Sequence, residues 1–274
     1  METPEGAATN RRAEATQDAR SHAVELPSDT EPTLRLLEQY SGIDPKDVPG
    51  LVRQVVMVEQ QAQALTVFPY GCIKSFWFLN LVPTLDDPRY QAVAERLRTP
   101  RSTETFLDVG CCLGPVVRLL ASQGVPDDRL HGTDLHAGFL DLGHELFGDR
   151  GRSRATYVAG DILDESDARL DVLRGKIDII YALAFFHLFE REGQLEAAKR
   201  MVGFLRPENP RVMIFGQNQG PKIEGWEKYV LDPGRWTSLW EEVGRATGTR
   251  WRTEMEVEST DKWNNVRFGV YRIV

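Results

Sequence analysis

Apolar residues along the middle of this chain fall into two alternating rhythms. Short, nearly continuous apolar runs at 105–109, 130–134, 157–161, 177–183 and 211–216 have the pattern of strands buried on both faces. Between them the spacing turns helical. Val116, Val117, Leu119 and Leu120 follow the first run, a second stripe covers 139–147, a third 194–205, and Trp236, Leu239, Trp240 and Val243 share one face of 233–247. Strand and helix in regular alternation predict an α/β fold with a doubly wound parallel sheet of five strands. Two further runs, 250–257 and 266–274, flank a polar turn around 260–265 and predict a terminal antiparallel hairpin.

Upstream the pattern changes. Residues 1–29 carry scarcely a bulky apolar side chain, cannot offset the entropy of ordering, and read as a disordered tail. Residues 30–104 read as an N-terminal helical cap on the substrate side. One helix opens around Thr30 and Pro32 and ends at Gly42, a second covers 50–65, and a short one runs from Asp87 to Arg98. Between them, 67–79 is too aromatic for a surface loop and too broken by Pro69 and Gly71 for one helix. It either packs beneath the cap or lies over the ligand mouth, where Tyr70 and Trp77 would wall a pocket for a small substrate. Residues 105–274 form the ligand-binding domain.

Composition narrows the possible partners. With 274 residues, 41% of them hydrophobic, the chain has enough apolar material for one full core and an appended segment. A net charge of -8 argues against nucleic acid, which is held largely through neutralised phosphates. Of three cysteines, Cys111 and Cys112 are adjacent; the set makes neither a disulfide framework nor a metal site, and it predicts a reducing, cytoplasmic setting. No apolar run reaches membrane-spanning length, and the first residues lack the basic start and apolar core of a secretory leader. A homodimer is left open.

The chemistry gathers where the strands end. Asp108-x-Gly110-x-Cys112-x-Gly114 follows the first strand, and Pro115 then opens a helix whose free N–H groups face the turn. A dinucleotide-binding turn would read G-x-G-x-x-G, and this one does not. Asp134 ends the second strand 26 positions after Asp108, the distance at which a carboxylate meets ribose hydroxyls; the competing role is a helix cap. Asp161 ends the third, so three carboxylates share one sheet edge. Beyond the fourth strand, Ala184-Phe-Phe-His-Leu-Phe189 presents His187, either a titratable group in the site or a packed, hydrogen-bonded histidine.

The turn resembles the Asp/Glu-x-Gly-x-Gly-x-Gly signature of class I S-adenosylmethionine-dependent methyltransferases, with Cys112 in the middle-glycine position. The runs Phe106-Leu-Asp-Val-Gly-Cys-Cys-Leu-Gly114, Leu130-His-Gly-Thr-Asp-Leu135, Asp141-Leu-Gly-His-Glu-Leu-Phe147, Ala184-Phe-Phe-His-Leu-Phe189 and Trp240-Glu-Glu-Val-Gly-Arg-Ala-Thr-Gly-Thr-Arg-Trp251 resemble the fungal secondary-metabolite methyltransferases of meroterpenoid pathways, where a double cysteine in this turn is ordinary. The resemblance implies a Rossmann-like class I methyltransferase sheet and S-adenosylmethionine as cofactor. It places Asp108, Gly110, Cys111 and Gly114 at the methionine part, Asp134 and Leu135 at the ribose, Asp161 and Ile162 at the adenine, and Leu183 and Ala184 near the methyl group. Tyr70, Trp77, Phe186 and His187 would face a small, largely apolar acceptor, with His187 as base or orienting group. The implied reaction is in-line methyl transfer, in the best-known members to a carboxylate that becomes a methyl ester. Phenol or hydroxyl O-methylation, and a methyltransferase fold that binds S-adenosylmethionine without transferring methyl, are the alternatives.

Overall fold

A computed structural model describes residues 28–63, 77–221, 232–261 and 263–273. The predicted tail up to residue 27, and the aromatic run from 67 to 76 with Tyr70, lie outside the described residues. Ser28–Thr30 make a 3-10 turn in which the Asp29 carboxylate accepts a hydrogen bond from the Asn80 amide at 2.8 Å. The last two residues assigned to the tail are therefore tied to the fold.

Helices α1 (Glu31–Gln39) and α2 (Val48–Gln63) come first, followed after Trp77–Leu79 by α3 (Val82–Leu85) and α4 (Pro88–Arg98). Asp87 caps α4, its carboxylate accepting the Arg89 N–H at 2.9 Å. Then β1 (Phe106–Val109), α5 (Pro115–Ser122), β2 (Leu130–Asp134), α6 (Ala137–Phe147) and β3 (Thr156–Ala159) alternate. The chain continues through β4 (Ile179–Leu183), α7 (Arg191–Phe204), β5 (Met213–Pro221), α8 (Pro233–Thr247), β6 (Trp251–Ser259) and β7 (Trp263–Arg272).

The sheet order is β3-β2-β1-β4-β5-β7-β6. β1 to β5 are mutually parallel, and β7 runs antiparallel to both β5 and β6. The winding reverses between β1 and β4, which opens a crevice at the carboxyl ends of the strands.

The period of two along each strand divides the core. Phe106, Ile179, Tyr181, Met213 and Phe215 face a layer built from Leu36 and Leu37 of α1, Val52 of α2, Val93 of α4, Val116 of α5 and Leu146 of α6. Leu107, Val109, Ile180, Ala182 and Ile214 face the other layer, with Ala197 and Met201 of α7 and Trp236 and Trp240 of α8. Truncating either of these buried tryptophans to alanine would cost about 3–5 kcal/mol. The N-terminal helices thus supply one of the two apolar layers.

Several boundaries depart from the sequence pattern. β3 ends at Ala159, two residues short of Asp161, and Ile177 joins the sheet only as a single bridge to Leu205. α7 begins at Arg191, earlier than the predicted 194. β5 runs on past the predicted end at 216, because β7 supplies an antiparallel ladder after β4 has ended at Leu183: Asn218 pairs with Val266 and Gly220 with Asn264.

Candidate active site

The glycine turn is clamped to the end of β2. The N–H groups of Gly110 and Cys111 donate to the Thr133 carbonyl at 2.8 and 3.0 Å, and Gly114 N–H donates to the Cys111 carbonyl at 2.7 Å. Positive φ occurs at Gly110 (71°), Cys112 (52°) and Gly114 (67°). The cysteine therefore adopts the backbone that the general signature assigns to glycine, at a strain of about 1–2 kcal/mol. Its N–H donates to Asp134 Oδ2 at 2.9 Å, a charge-assisted bond that offsets the strain, and its side chain packs on the core. A Cβ on Gly110 would lie 2.8 Å from the Phe185 ring, so glycine here lets the β4 loop close against the turn.

Two of the three predicted carboxylates converge directly. Asp108 is 3% exposed and accepts no hydrogen bond from any described residue. Burial first, and the charge of Asp134 second, push its carboxyl well above the usual range. Asp134 accepts the His136 N–H at 3.1 Å as well as that of Cys112; burial raises its carboxyl and these bonds partly counter the rise. It therefore acts as a local turn acceptor. Asp161 sits beyond β3, its Oδ1 taking the Leu163 N–H at 2.9 Å and its own N–H donating to Asp167 Oδ2 at 2.8 Å. Leu135 is 51% exposed beside Asp134.

Two residues that the sequence placed at the site are buried in the described fold. Ile162, predicted to pack on a ligand ring, is a core residue at 8% exposure, while its neighbour Leu163 is 40% exposed. The Asp161–Leu163 turn reverses which side chain faces outward. Phe186, predicted to face the acceptor, is 1% exposed and makes edge-to-face contacts with Trp236 and Phe268 at 5.2 and 5.7 Å. It is packing for the β4 loop. In the same loop Ala184 adopts φ of 51° and donates to the Gln217 carbonyl at 2.7 Å, beside half-buried Leu183 at the end of β4.

His187 follows in the 3-10 turn Phe186–Leu188. Its Nδ1 is buried and has no hydrogen-bond partner among the described residues, and burial lowers the imidazole to about 4, so the ring is neutral at pH 7. The N-terminal segment reaches the same strand edge: Thr84 Oγ1 and the Tyr181 hydroxyl lie 2.8 Å apart, and Gln217 Nε2 donates to the Pro83 carbonyl. Trp77, half-buried, begins this segment. The described residues hold no group of three or more His, Cys, Asp or Glu arranged to take a metal ion.

The sequence did not single out exposed Leu163 or the buried Arg118, which donates to the Leu113 and Gly114 carbonyls behind the turn. A charged residue inside the apolar stripe of α5 was the available signal for Arg118.

A glycine turn that presents backbone and a buried carboxylate to its ligand suits a cationic ligand without phosphate. Asp108 has no hydrogen-bond donor among the described residues, and Leu135 and Leu163 beside the strand ends are exposed apolar side chains. Fold and site together define a class I S-adenosylmethionine-dependent methyltransferase. Residues 24–79 match the meroterpenoid methyltransferase N-terminal domain family, and residues 106–208 match a methyltransferase domain family. The O-methyltransferase phiE of a fungal species is 36% identical over 93% of this chain and 85% of its own length. O-methyltransferase atr3 of Stereocaulon alpinum is 35% identical, covering 90% and 74%. The asnovolin E/chermesin D methyltransferase nvfJ of Aspergillus novofumigatus is 32% identical, covering 89% and 87%. The chain belongs to this family of fungal secondary-metabolite methyltransferases. Among solved structures, the CurJ carbon methyltransferase shares the fold with a TM-score of 0.51 at 16% identity, over 96% of this chain and 71% of that one. The plantazolicin methyltransferase BpumL, solved with SAH, gives 0.50 at 14% identity over 82% and 99%.

Proposed function

We propose that the protein O-methylates a small, largely apolar metabolite at a carboxylate, producing a methyl ester. The observation that carries the choice of acceptor is His187, a half-buried, neutral imidazole in the turn after β4, whose buried Nδ1 has no hydrogen-bond partner among the described residues. An imidazole at about 4 is a poor base for a phenol: the proton would climb about 6 pKa units, roughly 8 kcal/mol. A carboxylate, with a reference pKa near ~4, is already ionised and needs no base. What it needs is orientation, and a neutral ring N–H can donate one hydrogen bond to it.

Bound S-adenosylmethionine supplies an electrophilic methyl group on a sulfonium. In this reading Asp108 holds the cationic methionine end, Asp134 takes the ribose hydroxyls, and Asp161 with Leu163 meets the adenine. His187 orients the acceptor, Trp77 borders it, and the apolar loop around Phe185 excludes water. The family description supports an apolar acceptor, since meroterpenoids are largely hydrocarbon.

Two measurements test this. The methylated product formed with a producing-cell extract should release methanol in mild alkali, as an ester does and a phenol ether does not. At saturating S-adenosylmethionine the wild-type rate should stay nearly flat from about pH 6 to 9, and His187→Ala should lose about tenfold without gaining a steep pH dependence. An alkali-stable product, or a mutant rate rising steeply toward a phenol's pKa, overturns the carboxylate assignment.

A further inference from the structure

Arg118 lies on α5 between Val117 and Leu119 and is 1% exposed, a degree of burial that arginine reaches only with partners. Its Nε and Nη2 donate to Asp149 Oδ2 and Oδ1 at 2.7 and 3.0 Å, a two-pronged charge pair. Its Nη1 donates to the carbonyls of Leu113 and Gly114 at 2.7 and 3.2 Å, the last two residues of the glycine turn. The rings of Phe147 and Tyr157 lie 4.5 and 4.9 Å from the guanidinium carbon. A Cβ on Gly114 would sit 2.8 Å from Nη1, so the turn closes directly on the arginine.

Asp149, 0% exposed, has two more partners: the His144 ring Nδ1 at 2.7 Å and the Tyr40 hydroxyl, which donates to Oδ2 at 3.0 Å. Burial pushes its carboxyl up, but the hydrogen bonds and charge of Arg118 outweigh that and hold it below the ordinary value. Tyr40 lies just past α1, its ring edge against Phe147 at 6.3 Å and the Arg152 guanidinium 5.1 Å from its centre. One unbroken chain of charge-assisted bonds therefore runs from the N-terminal segment to the back of the turn.

We infer that Tyr40, Asp149 and Arg118 act as positioning residues through which the N-terminal segment sets the affinity of the glycine turn for S-adenosylmethionine. The turn needs such an anchor because Cys112 holds a left-handed conformation that its backbone disfavours. Arg118 fixes the two carbonyls that follow it, and Asp149 fixes Arg118. Without the Tyr40 hydroxyl, Asp149 Oδ2 loses one of its two directing bonds, and the guanidinium gains freedom to tilt away from Leu113. The inference rests on the reading that this turn holds the cofactor.

The test is calorimetric titration of the full chain with S-adenosylmethionine and with S-adenosylhomocysteine. Tyr40→Phe keeps the ring and should weaken binding about three- to tenfold while leaving the acceptor KM at saturating cofactor unchanged. Arg118→Lys keeps the charge but loses the fork and should weaken binding further. The double variant should bind no worse than Arg118→Lys alone, because the tyrosine acts through the arginine. Tyr90→Phe is the matched control: its hydroxyl donates to Gln123 at 3.1 Å, in the same segment but away from the turn, and cofactor affinity should not move. An unchanged cofactor Kd in Tyr40→Phe, with only a lower melting temperature, overturns the inference, as does an equal loss in Tyr90→Phe. If Arg118→Lys does not fold, Tyr40→Phe against Tyr90→Phe decides. Asp134→Ala tests the underlying site separately and should weaken binding about ten- to a hundredfold; no effect there would remove the site reading itself.

Discussion

His187 has a consequence for stability that is separate from its place in the site. Burial lowers its imidazole to about 4, and burial likewise lowers that of His131, whose Nδ1 lies 3.1 Å from the Phe106 carbonyl. The unfolded chain takes up a proton at each near pH ~6.5, while the folded chain at His187 does so only near 4. The stability from the neutral folded ring is therefore present above about pH 6.5 and lost as pH falls toward 4. Urea unfolding should show about 2 kcal/mol less stability at pH 5 than at pH 7 from His187 alone. His187→Gln should remove that share of the acid sensitivity; an identical pH slope in the variant would show that the ring titrates normally. At this scale the sequence was most legible where a strand sets direction. Asp108 and Asp134 sit within or at the end of strands and could be placed by counting. Leu163 and Phe186 come after the strand has ended, where an Asx-type turn or an aromatic neighbour decides which way a side chain faces, and neither leaves a period in the sequence.

Between elements, α6 approaches the glycine turn closely. A Cβ on Gly143 would lie 2.4 Å from the Leu113 carbonyl oxygen, the same oxygen that Arg118 holds. Helix propensity favours alanine over glycine by about 1 kcal/mol in an isolated helix. Packing reverses the sign here: Gly143→Ala should destabilise the fold by about 1–3 kcal/mol and weaken cofactor binding, measured by urea unfolding and calorimetry. A stabilised variant would mean that the helix can retreat from the turn without cost. Element type was readable from the alternation of periods, because buried parallel strands and amphipathic helices carry opposite signatures. The extension of β5 through Asn218 to Gly220 was not, since its residues are polar and their strand geometry comes from β7, some fifty residues later in the chain.

Across the whole molecule, one apolar layer is shared by residues before and after position 105. Leu36, Val52 and Val93 pack in the same cluster as Phe106, Tyr181 and Phe215. Heating should therefore give a single cooperative transition, and residues 105–274 expressed alone should remain unfolded or aggregate, with one sheet face uncovered. Two resolved calorimetric transitions would show instead that the N-terminal segment folds and melts by itself. The described helices include none long and apolar enough to cross a membrane.

Among the described residues the sheet ends at β6, which pairs with β7 on one side and has no strand partner on the other. Glu254, Glu256 and Glu258 alternate along it, and Arg89 Nη2 reaches the first two at 3.6 and 2.7 Å, leaving Glu258 outside that arginine's reach. A second copy docking on this edge would set carboxylate rows against each other, and like charges facing across strands repel. Crowding many copies together is thus discouraged from zipping their sheets into one longer sheet, and the same arginine that ties the hairpin to the N-terminal helices helps fix where that repelling row stands.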